Sequence, residues 1–291
     1  MLVEKAAAKV NLTLHVRGRR PDGWHDLESV VAFSAGGDQL SLEPGATTTL
    51  TVSGPTARAA GPDEDNLVLR ATRELGERVP GLRGGAFQLL KRLPVAAGLG
   101  GGSSDAAAAL RLLARANGMS LDDARLIEAA SATGSDVPVC LRQTARVMRG
   151  RGDDLGPPLD LPRLFCVLVN PCVAVETRAV FAEMRLQPGE RTSFGTSPDF
   201  ASLAALPALD AFLGVLKKAR NDMEDAACVL TPVVSHVLAV IAAARGCRLV
   251  RMSGSGATCF GLFETCHAAA RAAAVIRHQH PGWWVKSTLL R

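Results

Sequence analysis

The feature that most restricts this chain is a run of small residues set between two regular segments: Pro94-Val95-Ala96-Ala97-Gly98-Leu99-Gly100-Gly101-Gly102-Ser103-Ser104-Asp105. Upstream, residues 86–92 read as a short strand that ends at Pro94. Downstream, the Ala- and Leu-rich stretch from Ser104 is strongly helical and stops at Gly118, a residue suited to the left-handed position after a helix. A glycine loop running into a helix turns backbone N–H groups and the positive end of the helix dipole toward an anion. Ser103 and Ser104 add hydroxyl donors. Two commoner phosphate loops are excluded: no Lys follows to complete Gly-x4-Gly-Lys-Ser/Thr, and Ser103 stands where a dinucleotide fingerprint needs its third Gly after Gly98 and Gly100. The segment reads as a cradle for the phosphates of ATP; the alternative is a flexible loop with a merely structural glycine run.

The rest of the chain alternates strand and helix signals without a regular βαβ repeat, which points to an α+β protein rather than a doubly wound parallel sheet. Residues 9–17 alternate between Val10, Leu12, Leu14 and Val16 on one face and Asn11, Thr13, His15 and Arg17 on the other, the period of a half-buried strand. Arg20-Pro21-Asp22-Gly23 supplies a turn. Strands are predicted over 27–33, 38–43 and 48–53. A helix is predicted over 66–75, with Asp65 or Asn66 as its N-cap, and Ser120 with Asp123 resembles a capping box for the next. Arg151 to Pro158 reads as a linker, placing the expected domains at residues 1–155 and 156–291. Further on come a strand at 164–169, a loop at 187–201, helix at 222–245 interrupted near Pro232, short strands at 249–252 and 258–263, and an Ala-rich helix at 265–277.

With 291 residues, 47% of them hydrophobic and 21% charged, the chain has the balance of an ordinary globular protein. The net charge of +5 is spread along the sequence, and aromatic residues are 4%, against the dense basic and aromatic patches of nucleic-acid binders. A mild positive excess suits a polyanionic small molecule. Seven cysteines without a CxxC pair read as reduced, buried thiols rather than a disulfide framework or zinc site. No apolar run reaches the roughly 18 residues of a membrane span, so no membrane association is expected and the expected location is the cytoplasm.

The glycine loop resembles the second motif of the galactokinase, homoserine kinase, mevalonate kinase and phosphomevalonate kinase (GHMP) superfamily. Ala8-Lys9-Val10-Asn11-Leu12 resembles its N-terminal motif, and Met252-Ser253-Gly254-Ser255-Gly256-Ala257 its C-terminal glycine-rich motif. The resemblance implies a two-domain α+β fold with mixed or antiparallel sheets and an active-site cleft between the domains. It implies ATP as phosphoryl donor, Asp136 as catalytic base and Lys9 as the catalytic cation beside it. Nucleotide contacts would come from Asn66, Pro94, Gly98, Leu99, Gly100, Gly101, Gly102, Ser103 and Ser104. For Asn66 the simple reading, a helix cap, stands level with a contact to the base.

Finer segments, among them Asp22-Gly23-Trp24-His25, Asn66-Leu67-Val68, Ser135-Asp136-Val137-Pro138 and Asn221-Asp222-Met223-Glu224, resemble one branch of the superfamily. Its acceptor is a methylerythritol carrying a cytidine diphosphate group, phosphorylated on its 2-hydroxyl in non-mevalonate isoprenoid synthesis. Trp24 would stack on the pyrimidine, His25 would bond its edge, and Asn11 and Thr177 would contact the acceptor. Ala7 stands where the family usually has Pro, and Trp24 where it often has Tyr. Phosphoryl transfer calls for a divalent cation such as Mg²⁺, for which the sequence offers no carboxylate cage beyond Ser104 as a candidate ligand. Another small-molecule kinase of the superfamily, or a non-catalytic nucleotide- or RNA-binding protein of similar fold, would share parts of this pattern. Oligomeric state is not encoded in any of these motifs.

Overall fold

In the computed structural model, residues 1–59, 66–192, 200, 203 and 208–291 are described. The predicted N-cap Asp65 and most of the loop beyond residue 192 lie outside them. The chain divides into two compact units, each assembled from separated pieces. The first holds Met1–Lys9, Gly36–Val95 and Gly100–Gln143; the second holds Val10–Ala35, Ala96–Leu99 and Thr144–Arg291. The boundary expected after residue 155 falls within the second unit.

Two strands run through both sets of residues. Strand β1 spans Leu2–Asn11 and β3 spans His25–Pro44, and they pair with each other. The strands predicted separately at 27–33 and 38–43 are thus one 20-residue strand. In the first unit, β5 (Gly85–Leu90) pairs antiparallel with the C-terminal half of β3 and parallel with β4 (Thr49–Ser53). Among the described residues, four α-helices belong to this unit: α1 (Leu67–Arg78), α2 (Gly101–Ala116), α3 (Ala124–Thr133) and α4 (Val137–Arg142). Helix α2 is the centre, packed against α1, α3 and α4. Its residues Ala106 to Ala114 are all buried, and the small side chains let neighbouring helices come close. Arg111, buried among them, is fully committed: it donates to Glu4 and to the carbonyls of Lys5 and Cys140.

In the second unit, the N-terminal half of β3 pairs with β2 (His15–Arg19) and β6 (Arg146–Gly150), and β6 with β7 (Asp154–Pro158). The stretch predicted as a linker is therefore an edge hairpin, where proline is tolerated because one side of the strand needs no ladder donor. The antiparallel order β11-β8-β10-β9, made of Trp284–Leu290, Leu164–Asn170, Cys259–Phe263 and Cys247–Met252, forms the second half of this unit's sheet. Helices α5 (Thr177–Glu183), α6 (Leu209–Lys218), α7 (Glu224–Leu230), α8 (Val233–Ala242) and α9 (Cys266–Gln279) belong to the same unit. The break between α7 and α8 falls at Pro232, as predicted. Apolar side chains of β8, β10, α7, α8 and α9 make its core.

Candidate active site

Lys9 and Asp136 are brought together in the first unit. Lys9 ends that unit's stretch of β1, is buried, and places Nζ 2.9 Å from Asp136 Oδ2. Asp136 sits immediately before α4, whose second residue is Pro138; its side chain is one-third exposed. A buried cation and a partly open carboxylate in contact give a proton acceptor whose direction is fixed by its partner.

The glycine loop stands against this pair. Gly100 is left-handed (φ 60°) and caps α2 without any side-chain bond. The first helical bond runs from Ser104 N to Gly100 O at 2.8 Å, so the amides of Gly101, Gly102 and Ser103 lie outside the helical ladder. A Cβ added at Gly100 would come within 3.1 Å of Lys9 Cε, so the cradle's first residue touches the cationic side chain. Pro94 and Leu99 are buried. Ser103 is half-buried at the helix start.

Ser104 departs from expectation. It is fully buried, and its hydroxyl donates to Ala7 O at 2.7 Å with the Cys140 thiol 3.4 Å away. One residue along a helix is a turn of about 100°, which points Ser103 and Ser104 in different directions. The hydroxyl's proton is thus given to strand β1, and the oxygen keeps its lone pairs. Among the described residues no three His, Cys, Asp or Glu side chains assemble as a metal site. Asn66 caps α1, its Oδ1 accepting from Val68 N at 3.0 Å, the simpler of its two readings.

The second unit carries the other predicted residues. Trp24 follows a tight turn in which Arg20 N donates to Trp24 O and Trp24 N donates to Asp22 Oδ1. Its indole is 51% exposed, with the Arg151 guanidinium 4.4 Å from the ring centroid. His25 stacks on Phe181, centroids 4.0 Å apart and planes at 11°. Burial, aided by the charge of Arg19, lowers the His25 pKa, so the imidazole is neutral at pH 7. Phe181 escaped the sequence reading; its signal was its place four residues after Thr177, on the same face of α5.

Asn11, Thr177 and the C-terminal glycine turn are joined in this unit. Ser253 Oγ donates to Gly98 O at 2.9 Å and accepts from Asn11 N at 3.0 Å. Asn11 Nδ2 donates to Ser29 Oγ at 2.7 Å. The Thr177 and Ser255 hydroxyls are 2.8 Å apart. Asn221 Nδ2 donates to Met252 O and Gly254 O, which explains why its segment belongs with the glycine turn. Gly98 is left-handed (φ 72°), and a Cβ there would lie 2.2 Å from Ser253 O.

Residues 66–144 match the family described as GHMP kinases N terminal domain, and residues 205–282 match GHMP kinases C terminal. The 4-diphosphocytidyl-2-C-methyl-D-erythritol kinase of Methylobacterium radiotolerans is 56% identical over 292 aligned residues, covering 100% of this chain and 99% of that protein. The chain belongs to the GHMP kinases, in the family of that enzyme. The kinase of the same name from Xanthobacter autotrophicus is also 56% identical, with 99% and 98% coverage. A crystal structure of 4-(cytidine 5'-diphospho)-2C-methyl-D-erythritol kinase superposes on this GHMP kinase with a TM-score of 0.76, 33% identity and 99% coverage of both chains. A crystal structure of L. major mevalonate kinase shares the fold at a TM-score of 0.68 and 14% identity.

Proposed function

We propose that this GHMP kinase transfers the γ-phosphoryl group of ATP to the 2-hydroxyl of 4-diphosphocytidyl-2-C-methyl-D-erythritol. The observation that carries the reading is the Lys9–Asp136 contact at 2.9 Å, set against Gly100 of the phosphate loop. The amides of Gly101, Gly102 and Ser103 hold phosphate oxygens at the positive end of α2. Asp136 accepts the acceptor hydroxyl's proton as it attacks the γ-phosphorus, a step worth about 10²–10⁴-fold. Lys9 holds the carboxylate in position, and its charge offsets the negative charge that develops on the transferred group.

Trp24, His25 and Phe181 are the aromatic set for the cytosine ring. Stacking contributes about 1–3 kcal/mol per base, and a neutral His25 can offer both a donor and an acceptor to the base edge. Asn11 and Thr177 stand beside the glycine turn as acceptor contacts. The Mg²⁺ that phosphoryl transfer calls for would be carried by the nucleotide's phosphates, and no residue's role above depends on it.

The test is ADP release with the cytidylylated methylerythritol as acceptor. Asp136→Asn and Lys9→Ala are expected to lower kcat by about 10²-fold or more while still folded; near-wild-type kcat in either sinks that residue's role. A kinase for homoserine or mevalonate would be insensitive to CDP, so the absence of CDP inhibition would reassign the acceptor.

A further inference from the structure

We propose that Lys91, Asp38 and Asp105 form a buried clasp that sets the shape of the phosphate loop, with Asp105 as a positioning residue for ATP. This inference rests on the reading of that loop as the ATP-phosphate site. None of the three side chains belongs to the catalytic pair, and all lie within the first unit. Lys91 follows β5, its N–H donating to Ser53 O at 2.8 Å. Its ammonium bonds Asp38 of β3 and, at 2.7 Å, Asp105 Oδ2 of α2. Asp38 turns its other oxygen to the N–H groups of Arg92 and Leu93, the latter at 2.8 Å.

The chain entering the glycine loop is therefore tied to β3 through Asp38, and the helix leaving it is tied to the same ammonium through Asp105. No side chain of the clasp is more than 5% exposed. The loop rests on the ammonium: a Cβ at Gly101 would stand 3.6 Å from Lys91 Nζ.

Two carboxylates and one ammonium are a costly thing to bury, and well-packed apolar residues of similar volume often stabilise a fold as well or better. The cost is visible at Asp105 Oδ1, which is buried without a hydrogen-bond partner among the described residues. What such a cluster supplies, and apolar packing does not, is a fixed register between residues 91–93 and the first turn of α2. That register decides where the amides of Gly101 to Ser103 point. Asp105 acts on the nucleotide through the backbone and need not touch it.

The experiment titrates a non-hydrolysable ATP analogue and CDP separately into the full chain, alongside steady-state kinetics and melting. Asp105→Ala is expected to weaken the analogue and raise the ATP KM about tenfold, with CDP affinity and kcat at saturating ATP unchanged. Asp105→Asn, which keeps an acceptor for Lys91, restores most of that loss. Where Asp105→Ala does not fold, the triple variant Asp38→Asn/Lys91→Met/Asp105→Leu removes all three charges, keeps the Asp38 acceptor for the Arg92 and Leu93 N–H groups, and is expected to lose analogue affinity alone. Wild-type analogue affinity in Asp105→Ala or in the triple variant overturns the inference, as does an Asp105→Asn protein as weak as Asp105→Ala. A wild-type chain that binds no analogue overturns the phosphate-loop reading and the clasp with it.

Discussion

Substituting Gly98 tests how tightly the phosphate loop is joined to the C-terminal glycine turn. At Gly98 an alanine Cβ would lie 2.2 Å from Ser253 O, 2.9 Å from Gly256 O and 3.0 Å from Gly256 N, all backbone atoms. Backbone atoms cannot rotate away, so the turn itself must shift, at a cost of about 1–3 kcal/mol. The left-handed φ of 72° adds roughly 1–2 kcal/mol for a residue with a Cβ. Lower entropy of the unfolded alanine chain returns about 0.4–1 kcal/mol. The net expectation for Gly98→Ala is a loss of about 3 kcal/mol. Gly118 is the internal control: it has the same hand (φ 64°) with nothing within 4 Å of its Cβ, so Gly118→Ala carries only the strain and entropy parts. The difference between the two variants isolates the clash, roughly 2 kcal/mol, or about 3 °C in Tm for a chain of 291 residues. Thermal melting followed by circular dichroism reads it directly. If the two variants melt together, the turn and the loop are not packed as described.

Three further outcomes are expected. Ser104→Ala should cost about 1 kcal/mol of stability through the lost bond to Ala7 O, with the Mg²⁺ dependence of kcat unmoved; a changed metal requirement would return Ser104 to the reaction. His15 is held at a pKa of about 4, mainly by burial and then by the charges of Arg220 and Arg17. The unfolded chain therefore binds its proton first as pH falls, so stability that is present above about pH 6.5 is lost on the way to pH 4. His15→Phe should flatten that part of the urea midpoint profile, and an unchanged slope would refute it. Asn66→Ala should lower stability by about 0.5–2 kcal/mol as a lost N-cap; a large rise in ATP KM at unchanged Tm would show instead that the side chain serves the nucleotide.

What could be read from the sequence was local, and what could not depended on distant partners. Helix α2 is legible because its loop, its alanines and Gly118 are consecutive. The capping-box reading at Ser120 fails by three residues: Asp123 caps α3, accepting from Arg125 N. The strands predicted apart at 27–33 and 38–43 flank Gly36-Gly37, yet β3 runs through that pair. Gly37 is required because a Cβ there would lie 2.1 Å from Ala6 O, a close approach of β1 that no local pattern announces. Residues 9–16 alternate in hydropathy but are buried on both faces, because Lys9, Asn11 and Thr13 find partners far along the chain. Lys9 and Asp136 came from a motif resemblance, and their contact spans a separation of 127 positions in the sequence. Arg151 beside Trp24, Phe181 beside His25 and the Lys91 clasp are pairings of the same long-range kind.

The interleaved assembly of the two units bears on how the chain is made. Every residue of the first unit has been synthesised once Gln143 is out, but Val10–Ala35 must wait. Their strand partners β6 and β11 come from residues 146–290, and Phe33 exchanges two backbone hydrogen bonds with Arg291. During translation the N-terminal half of β3 thus lacks β6 and β11, and a strand edge left unpaired is the form of chain most prone to wrong pairing. Folding of this kinase is in that sense a closure from the C-terminal side. Removal of residues 284–291 would strip the β11 partner from Ser34 of β3 and from the whole of β8, so a short truncation there should cost solubility out of proportion to its length.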